Sequence, residues 1–392
     1  MRPWTLLSAP GRRAAQYRLS ERFIDRAAGV QSPTIHAQAC IHWLLNARQV
    51  TADGGVAQSY NVLSQSWGPS YPETTGYIIC SLLRAARAGL HDPAVLRDTA
   101  RDMGRWLLTT QLTNGAFPGG AVGTPNPQPA VFNTGQILKG FTDLIQAGLA
   151  DGDIRRAAER TARWLVALQD ADGCWHNGRS TLCSEPDPAY HIRTAWALAR
   201  YGTVVNDAAA VRAGVNNGNW LMATRQTNGW FPHMNFSKGE EPLLHSVAYT
   251  INGLYELGVL TGNDDFATAA EYSAARIRDL QDPENGSLPG RIEHPYRAGA
   301  PWTSPTANAQ MAIVWFRLAE VTGDVTWRIA AERATTFNCA LQELDHSDPG
   351  RRGAVRGSFP AHIGDEGRFS YLNWTQKFHL DALLAQMGAR VC

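Results

Sequence analysis

The feature that most constrains this chain is a glutamine that closes successive helix-like segments. It stands at Gln49, Gln111, Gln169, Gln226, Gln281 and Gln342, recurring every 55 to 62 residues. The residues after it recur too: Gln111-Leu-Thr-Asn-Gly, Gln169-Asp-Ala-Asp-Gly-Cys-Trp175, Gln226-Thr-Asn-Gly-Trp-Phe-Pro232 and Gln281-Asp-Pro-Glu-Asn-Gly. Five or six positions before it stands an aromatic residue in five copies, namely Trp43, Trp106, Trp164, Trp220 and Phe337. A period of this length means six copies of one supersecondary unit that bury their apolar faces on one another. These aromatics are accordingly assigned to packing.

Each copy holds two helical patterns. Before the Gln the pattern is amphipathic: Ile154, Ala158, Thr161, Leu165 and Leu168 share one face, while Arg155, Arg156, Glu159, Arg160 and Arg163 take the other. After the Asn/Asp-Gly turn the pattern is apolar almost all round, as in Val247 to Leu260, and such a helix must be covered on every side. Six wet-sided and six dry helices predict two concentric rings, an all-α (α/α)6 toroid with the amphipathic helices outside. An open solenoid would leave the dry helices exposed along one face. The expected organisation is an N-terminal extension over residues 1–32 and one toroid domain over residues 33–392.

Connections from inner to outer helices are short. Those from outer to inner are expected to run about 17 to 27 residues, long enough to carry function. All of the long loops leave the same ring of helix ends, so they surround the N-termini of the inner helices. Those helices are expected to begin near Glu73, Val131, Tyr190, His245, Pro305 and Tyr371. Six positive dipole ends there suit a carboxylate or phosphate group.

Eight of the 11 histidines (His176, His191, His233, His245, His294, His346, His362 and His379) fall in these loops or inner helices, as do Trp67, Trp175, Trp230, Trp302 and Trp374. Aromatic faces beside carboxylates, imidazoles and amides suit a sugar, whose C–H face packs on a ring while its hydroxyls need hydrogen-bond partners. Expected catalytic residues are Glu73, Glu185, Glu241, His191, His245 and Tyr190, with Glu73 as acid and Glu241 or Glu185 as its partner. Expected substrate-binding residues are Trp67, Tyr71, Tyr77, Asn133, Arg193, Tyr249, Trp302, Asn308, Tyr371, Trp374 and Lys377.

Composition narrows the classes. With 36 Lys+Arg against 35 Asp+Glu the net charge is +1, so no basic excess holds a nucleic acid. No apolar run reaches membrane-spanning length. The apolar run at the N-terminus is too short for a signal-peptide core, and the six scattered cysteines read as reduced thiols, so a cytoplasmic location is expected. Cys174, His176, Cys183 and His191 have zinc-type donors, but the spacing is not that of a structural site. No metal or cofactor is therefore expected, and the oligomeric state stays open.

The six-hairpin plan resembles the (α/α)6 toroid superfamily, which includes glycoside hydrolases, uronate lyases, sugar epimerases and terpene cyclases. The segments Trp67-Gly-Pro-Ser-Tyr-Pro-Glu-Thr-Thr-Gly-Tyr77 and Tyr371-Leu-Asn-Trp-Thr-Gln-Lys-Phe378 look like bacterial toroid proteins connected with polysaccharide metabolism. Gln169 to Trp175 is similar to the QxxDGxW repeat of terpene cyclases, whose protonating Asp-x-Asp-Asp is absent. The resemblance implies a carbohydrate-active enzyme, expected first as a hydrolase of an acidic oligosaccharide. A uronate lyase or C5-epimerase using Tyr190, His191 and Arg193, or His245 with Tyr249, is the second reading. A terpene cyclase-like enzyme and a non-catalytic glycan-binding toroid complete the set.

Overall fold

The computed structural model describes residues 8–21, 30–180 and 182–389. The first seven residues, part of the apolar run read above, and Cys392 lie outside the described residues. The helices are α1 (Ala9–Glu21), α2 (Pro33–Gln49), α3 (Pro72–Arg87), α4 (Pro93–Leu108), α5 (Val131–Gln146), α6 (Gly152–Leu168), α7 (Ile192–Val205), α8 (Ala208–Thr224), α9 (Leu244–Thr261), α10 (Asp264–Arg278), α11 (Pro305–Thr322), α12 (Val325–Leu341) and α13 (Asn373–Gln386). A 3-10 turn over Ala189–His191 leads into α7. Short strands β1 (Ser59–Asn61), β2 (Ser66–Trp67), β3 (Ile292–Glu293), β4 (Arg297–Ala298), β5 (Gln342–Glu343), β6 (Ala354–Val355) and β7 (Ser370–Leu372) lie in the long loops.

The odd-numbered helices from α3 to α13 pack on one another in sequence, and α13 returns to α3, so the inner ring is closed. Each even-numbered helix from α4 to α12 covers the inner helix before it, while α2 packs on α13. The two patterns sort as expected: α6 buries Ile154, Ala157, Ala158, Thr161, Ala162 and Leu165, whereas α5 is buried continuously from Val131 to Leu144. The architecture is an (α/α)6 toroid.

Local chemistry sets the short turns. Asp92, Asp151, Asp207, Asn263 and Asp324 cap α4, α6, α8, α10 and α12, each side chain accepting a first-turn backbone N–H. The repeated glutamines tie the outer ring together. Nε2 of Gln111 donates to Gly115 O and, on the next outer helix, to Ala157 O, each at 3.0 Å. Gln169 does the same to Gly173 O and Ala213 O, and Gln281 to Gly286 O and Ala330 O. Gln342 donates to His36 O at 3.1 Å, so the last copy grips the first helix of the ring. The turn glycine is obligatory: Gly115 and Gly173 have φ of +93° and +92°, and a Cβ would meet the carbonyl of Arg160 at 2.7 Å or of Asn216 at 2.4 Å. Gln49 and Gln226 depart from the pattern and are exposed, Gln226 Oε1 meeting His294 Nε2 at 2.8 Å.

Two expectations need adjusting. Among the repeated aromatics Trp43, Trp106 and Phe337 are buried, but Trp164 and Trp220 are only partly covered. The loop from α12 to α13 spans residues 342–372, longer than expected, and its β7 takes Ser370–Leu372 into a sheet of order β2-β1-β7, delaying α13 to Asn373. Helix α1, inside the 1–32 segment, docks on this loop: Tyr17 Oη donates to Tyr371 Oη at 2.9 Å, and Glu21 Oε1 accepts from Ala361 N at 2.8 Å. None of the described helices is long and apolar enough to cross a membrane.

Candidate functional site

A cavity of about 350 Å³ opens at the N-terminal ends of the inner helices, where the long loops gather. First turns supply much of its wall: Glu73 and Thr74 from α3, Phe132 and Asn133 from α5, Tyr190 and His191 before α7, His245 and Tyr249 from α9, and Trp374 from α13. Tyr71, Tyr77, Gln58, Cys183, Phe236 and Glu366 complete most of the rest.

Glu73 is the best-prepared group. Its Oε2 accepts from Asn133 Nδ2 at 2.8 Å and from Tyr71 Oη at 3.1 Å, and Oε1 has no partner among the described residues. Burial pushes its pKa up to about 7, against the opposing effects of the Tyr71 hydrogen bond and the Arg193 charge. A carboxyl of this kind holds its proton near neutral pH and faces a ligand-sized space.

Hydrogen-bond donors and an imidazole gather around Glu366. Its Oε1 accepts from Trp374 Nε1 at 2.9 Å, its Oε2 from Ser304 Oγ at 2.6 Å, and His245 Nδ1 lies 3.7 Å from Oε1. His245 stacks edge-on against Tyr249, with ring centroids 4.5 Å apart. Burial lowers the pKa of His245 and takes that of His191 down to about 3, so both imidazoles are neutral at pH 7. Neither Nδ1 has a hydrogen-bond partner among the described residues.

The expected residues divide. Glu73, His191, His245, Tyr190, Tyr71, Tyr77, Asn133, Tyr249 and Trp374 line the cavity. The others do not, and all but Glu241 have a structural occupation. Glu185 is clamped by His233 Nδ1 and Asn235 Nδ2, both at 2.7 Å, and Glu241 is exposed outside the cavity. Trp67 packs on Trp43 and Tyr60, each with centroids 5.1 Å away, because β2 pairs it across from Tyr60. Trp302 is buried against Gly290, and Asn308 Oδ1 accepts from Leu288 N at 3.0 Å. Tyr371 binds Glu343 and Tyr17. Arg193 lies beneath the floor, 4.9 Å from the Tyr249 ring, with Nε donating to Gln136 Oε1. Lys377 is paired with Asp381 at 2.7 Å. Removing Trp302 is therefore expected to cost folding stability, roughly 3–5 kcal/mol for a buried aromatic, with ligand affinity unchanged. Denaturant midpoints and a ligand titration of Trp302→Ala check this, and a loss of affinity at unchanged stability would return Trp302 to the cleft.

Glu366 escaped sequence reading because nothing local marks it. It sits in Ile363-Gly-Asp-Glu-Gly367, and its partners are 8 and 62 residues away.

Donor sets for a metal lie outside this cavity. Cys174, His176 and Asp187 place one ligand atom each within 4.8 Å of one another, as do the buried His36, Cys339 and His379. Both His176 nitrogens are held by carboxylates, Asp187 at 2.6 Å and Asp172 at 3.0 Å. Cys183 and His191, the other two residues of the zinc reading, line the cavity instead.

No family model matches the sequence, and no curated protein matches it. Solved structures share the fold. A heparin-specific unsaturated glucuronyl hydrolase superposes with a TM-score of 0.70 at 16% identity, covering 91% of this chain and 97% of its own. D-mannose isomerase gives 0.69 at 13% identity, covering 90% and 96%. Cellobiose 2-epimerase from Bacillus thermoamylovorans gives 0.67 at 11% identity, covering 86% and 94%. At these identities the likeness establishes the toroid alone.

Proposed function

We propose that the chain is a carbohydrate-active enzyme that hydrolyses a glycosidic bond in the cavity at the inner-helix N-termini. The observation that carries the reading is the Glu73 carboxyl, pushed up to about 7 by burial, with one oxygen held by Asn133 and Tyr71 and the other free to meet a ligand. Glu73 protonates the glycosidic oxygen as its bond to the anomeric carbon breaks. Glu366 is the second carboxylate, replacing Glu185 and Glu241 in that role. It takes the proton of the water that adds to the anomeric carbon, and proton return to Glu73 closes the cycle. Trp374, Phe132 and Phe236 put aromatic rings on the wall against which a sugar can pack. The carbohydrate activities named for the structural neighbours support this class of substrate.

A second reading is proton abstraction next to a carbonyl, as in an epimerase or isomerase, with His191 and His245 exchanging protons. Two neutral imidazoles on the wall of one cavity favour it. The lyase set is weakened: burial raises the Tyr190 pKa well above its ordinary value, its hydroxyl donates to Cys183, and Arg193 is out of reach. For the terpene reading, Gln169 to Trp175 holds α6 to α8, with Trp175 Nε1 on Leu165 O at 2.9 Å, and no residue of the segment lines the cavity.

The deciding experiment incubates the protein with neutral and uronate-containing oligosaccharides in deuterated water. New reducing ends support hydrolysis, an absorbing unsaturated uronate marks elimination, and carbon-bound deuterium without cleavage marks epimerisation. Saturable binding with none of these products would identify a glycan-binding toroid.

A further inference from the structure

We propose that the sugar ring seated against Glu73 and Glu366 is uncharged: a hexose or similar neutral ring, and not a uronate. The proposal rests on the carbohydrate reading above and names its substrate class. Among the described residues that line the cavity there is no Lys or Arg, while Glu73 and Glu366 both do. Two buried cations lie behind the wall with their polar atoms committed to the core, although the charge of Arg193 is felt at Glu73. Arg193 sits under the Tyr249 and Phe378 rings and donates to Gln136 and Asn252, and Lys377 is paired with Asp381. The two wall imidazoles carry no charge at neutral pH.

Two of the six helix dipoles, which argue from sequence for an acidic ligand, already meet the chain's own carboxyl groups. Glu73 lies in the first turn of α3. Glu366 accepts from Ser304, the N-cap residue of α11. A uronate carboxylate entering this space meets the carboxyl groups of Glu366 and Glu73, and no Lys or Arg among the described lining residues is there to pair with it. A neutral ring meets what it needs: aromatic faces from Trp374 and Phe236, an acceptor in Glu366, and the imidazoles of His191 and His245 for its hydroxyls. Arg179 is exposed on the loop beside Cys183 and is not among the lining residues. The glucuronyl specificity named for one structural neighbour therefore has no counter-ion on this wall.

The test uses matched disaccharides that differ only at C6 of the non-reducing ring: cellobiose against cellobiouronic acid, and galactobiose against digalacturonic acid, each uronate also as its methyl ester. Affinities are read by titration calorimetry on the unaltered protein and on Glu73→Gln, which slows turnover during the measurement. At least one neutral sugar is expected to bind at least about 30-fold more tightly than its uronate. The methyl ester should recover most of that difference, because it restores neutrality without restoring the hydroxymethyl shape. Glu366→Gln should narrow the same gap. A uronate binding more tightly than both its neutral partner and its ester overturns the proposal and leaves the carbohydrate reading standing. No binding by any member of the pairs, together with no turnover of any glycan in the product assay above, overturns both.

Discussion

Glu73→Gln is expected to fold, to bind sugar, and to lose at least about two orders of magnitude in turnover, the usual contribution of a positioned general acid or base. The same variant is expected to be more stable than the unaltered protein above pH 7. Burial raises the folded-state pKa from 4.5 to about 7, so between these values the folded protein binds more protons than the unfolded chain. The stability this group contributes is therefore fully present below the unfolded pKa and is lost as pH rises through about 7. Above that, the folded protein carries a buried carboxylate, a cost of up to about 3 kcal/mol from the linkage relation. An amide of the same shape removes it. Denaturant midpoints at pH 5 and pH 8, with kcat/KM across the same range, check both halves. The activity of the unaltered enzyme should fall above pH about 7 as the acid loses its proton. Full turnover in Glu73→Gln would reduce Glu73 to a first-turn helix residue and move the chemistry to His191 and His245.

Asp381→Ala should destabilise the fold by roughly 3–5 kcal/mol, as removal of one partner of a buried ion pair does. Asp381 on α13 takes Lys377 Nζ at 2.7 Å, Ser81 Oγ at 2.8 Å and Arg84 at 3.4 Å, the last two on α3. It thus joins the first inner helix to the last, where the ring closes without a covalent link. Arg84 and Lys377 hold its carboxyl well below the usual carboxylate range despite burial. Its stabilising share is thus present above the unfolded carboxylate pKa and is lost as pH falls into strong acid. Lys377 behaves oppositely, its pKa being pushed down to about 7 chiefly by burial. Its buried charge costs stability below that pH, and the cost recedes as pH rises toward the unfolded lysine value. An urea midpoint for Asp381→Ala within error of the unaltered protein would mean that α13 is held by apolar packing alone.

The legible part of the site is the part built on helix starts. Val131 and Pro305 begin α5 and α11 where the repeat placed them, and Glu73, Asn133, His191 and His245 reach the cavity because an inner helix presents its first turn there. Expectations failed in the loops. Trp67, Trp302 and Tyr371 were assigned to the sugar because aromatic residues gathered on the right face of the ring. In the structure, strand pairing of β2 and β7 with β1 and the packing of Trp302 on Gly290 use those rings to fasten loop to loop.

Sequence alone determined the number of hairpins, the sorting of helices into two rings and the end of the barrel that carries the cavity. Each follows from periodicity and from which helix faces are apolar, and both are local properties of the chain. Only the tertiary structure decided which second carboxyl group lines that cavity with Glu73. Glu366 belongs to a loop with no periodicity, and its place is set by Ser304 at the start of α11 and Trp374 at the start of α13, residues 62 and 8 positions from it along the chain that come together only when the inner helices pack. The same is true of the charge of the wall. Arg193 and Lys377 look like ligand-binding cations along the chain, and burial beneath Tyr249 and against Asp381 turns them into parts of the core.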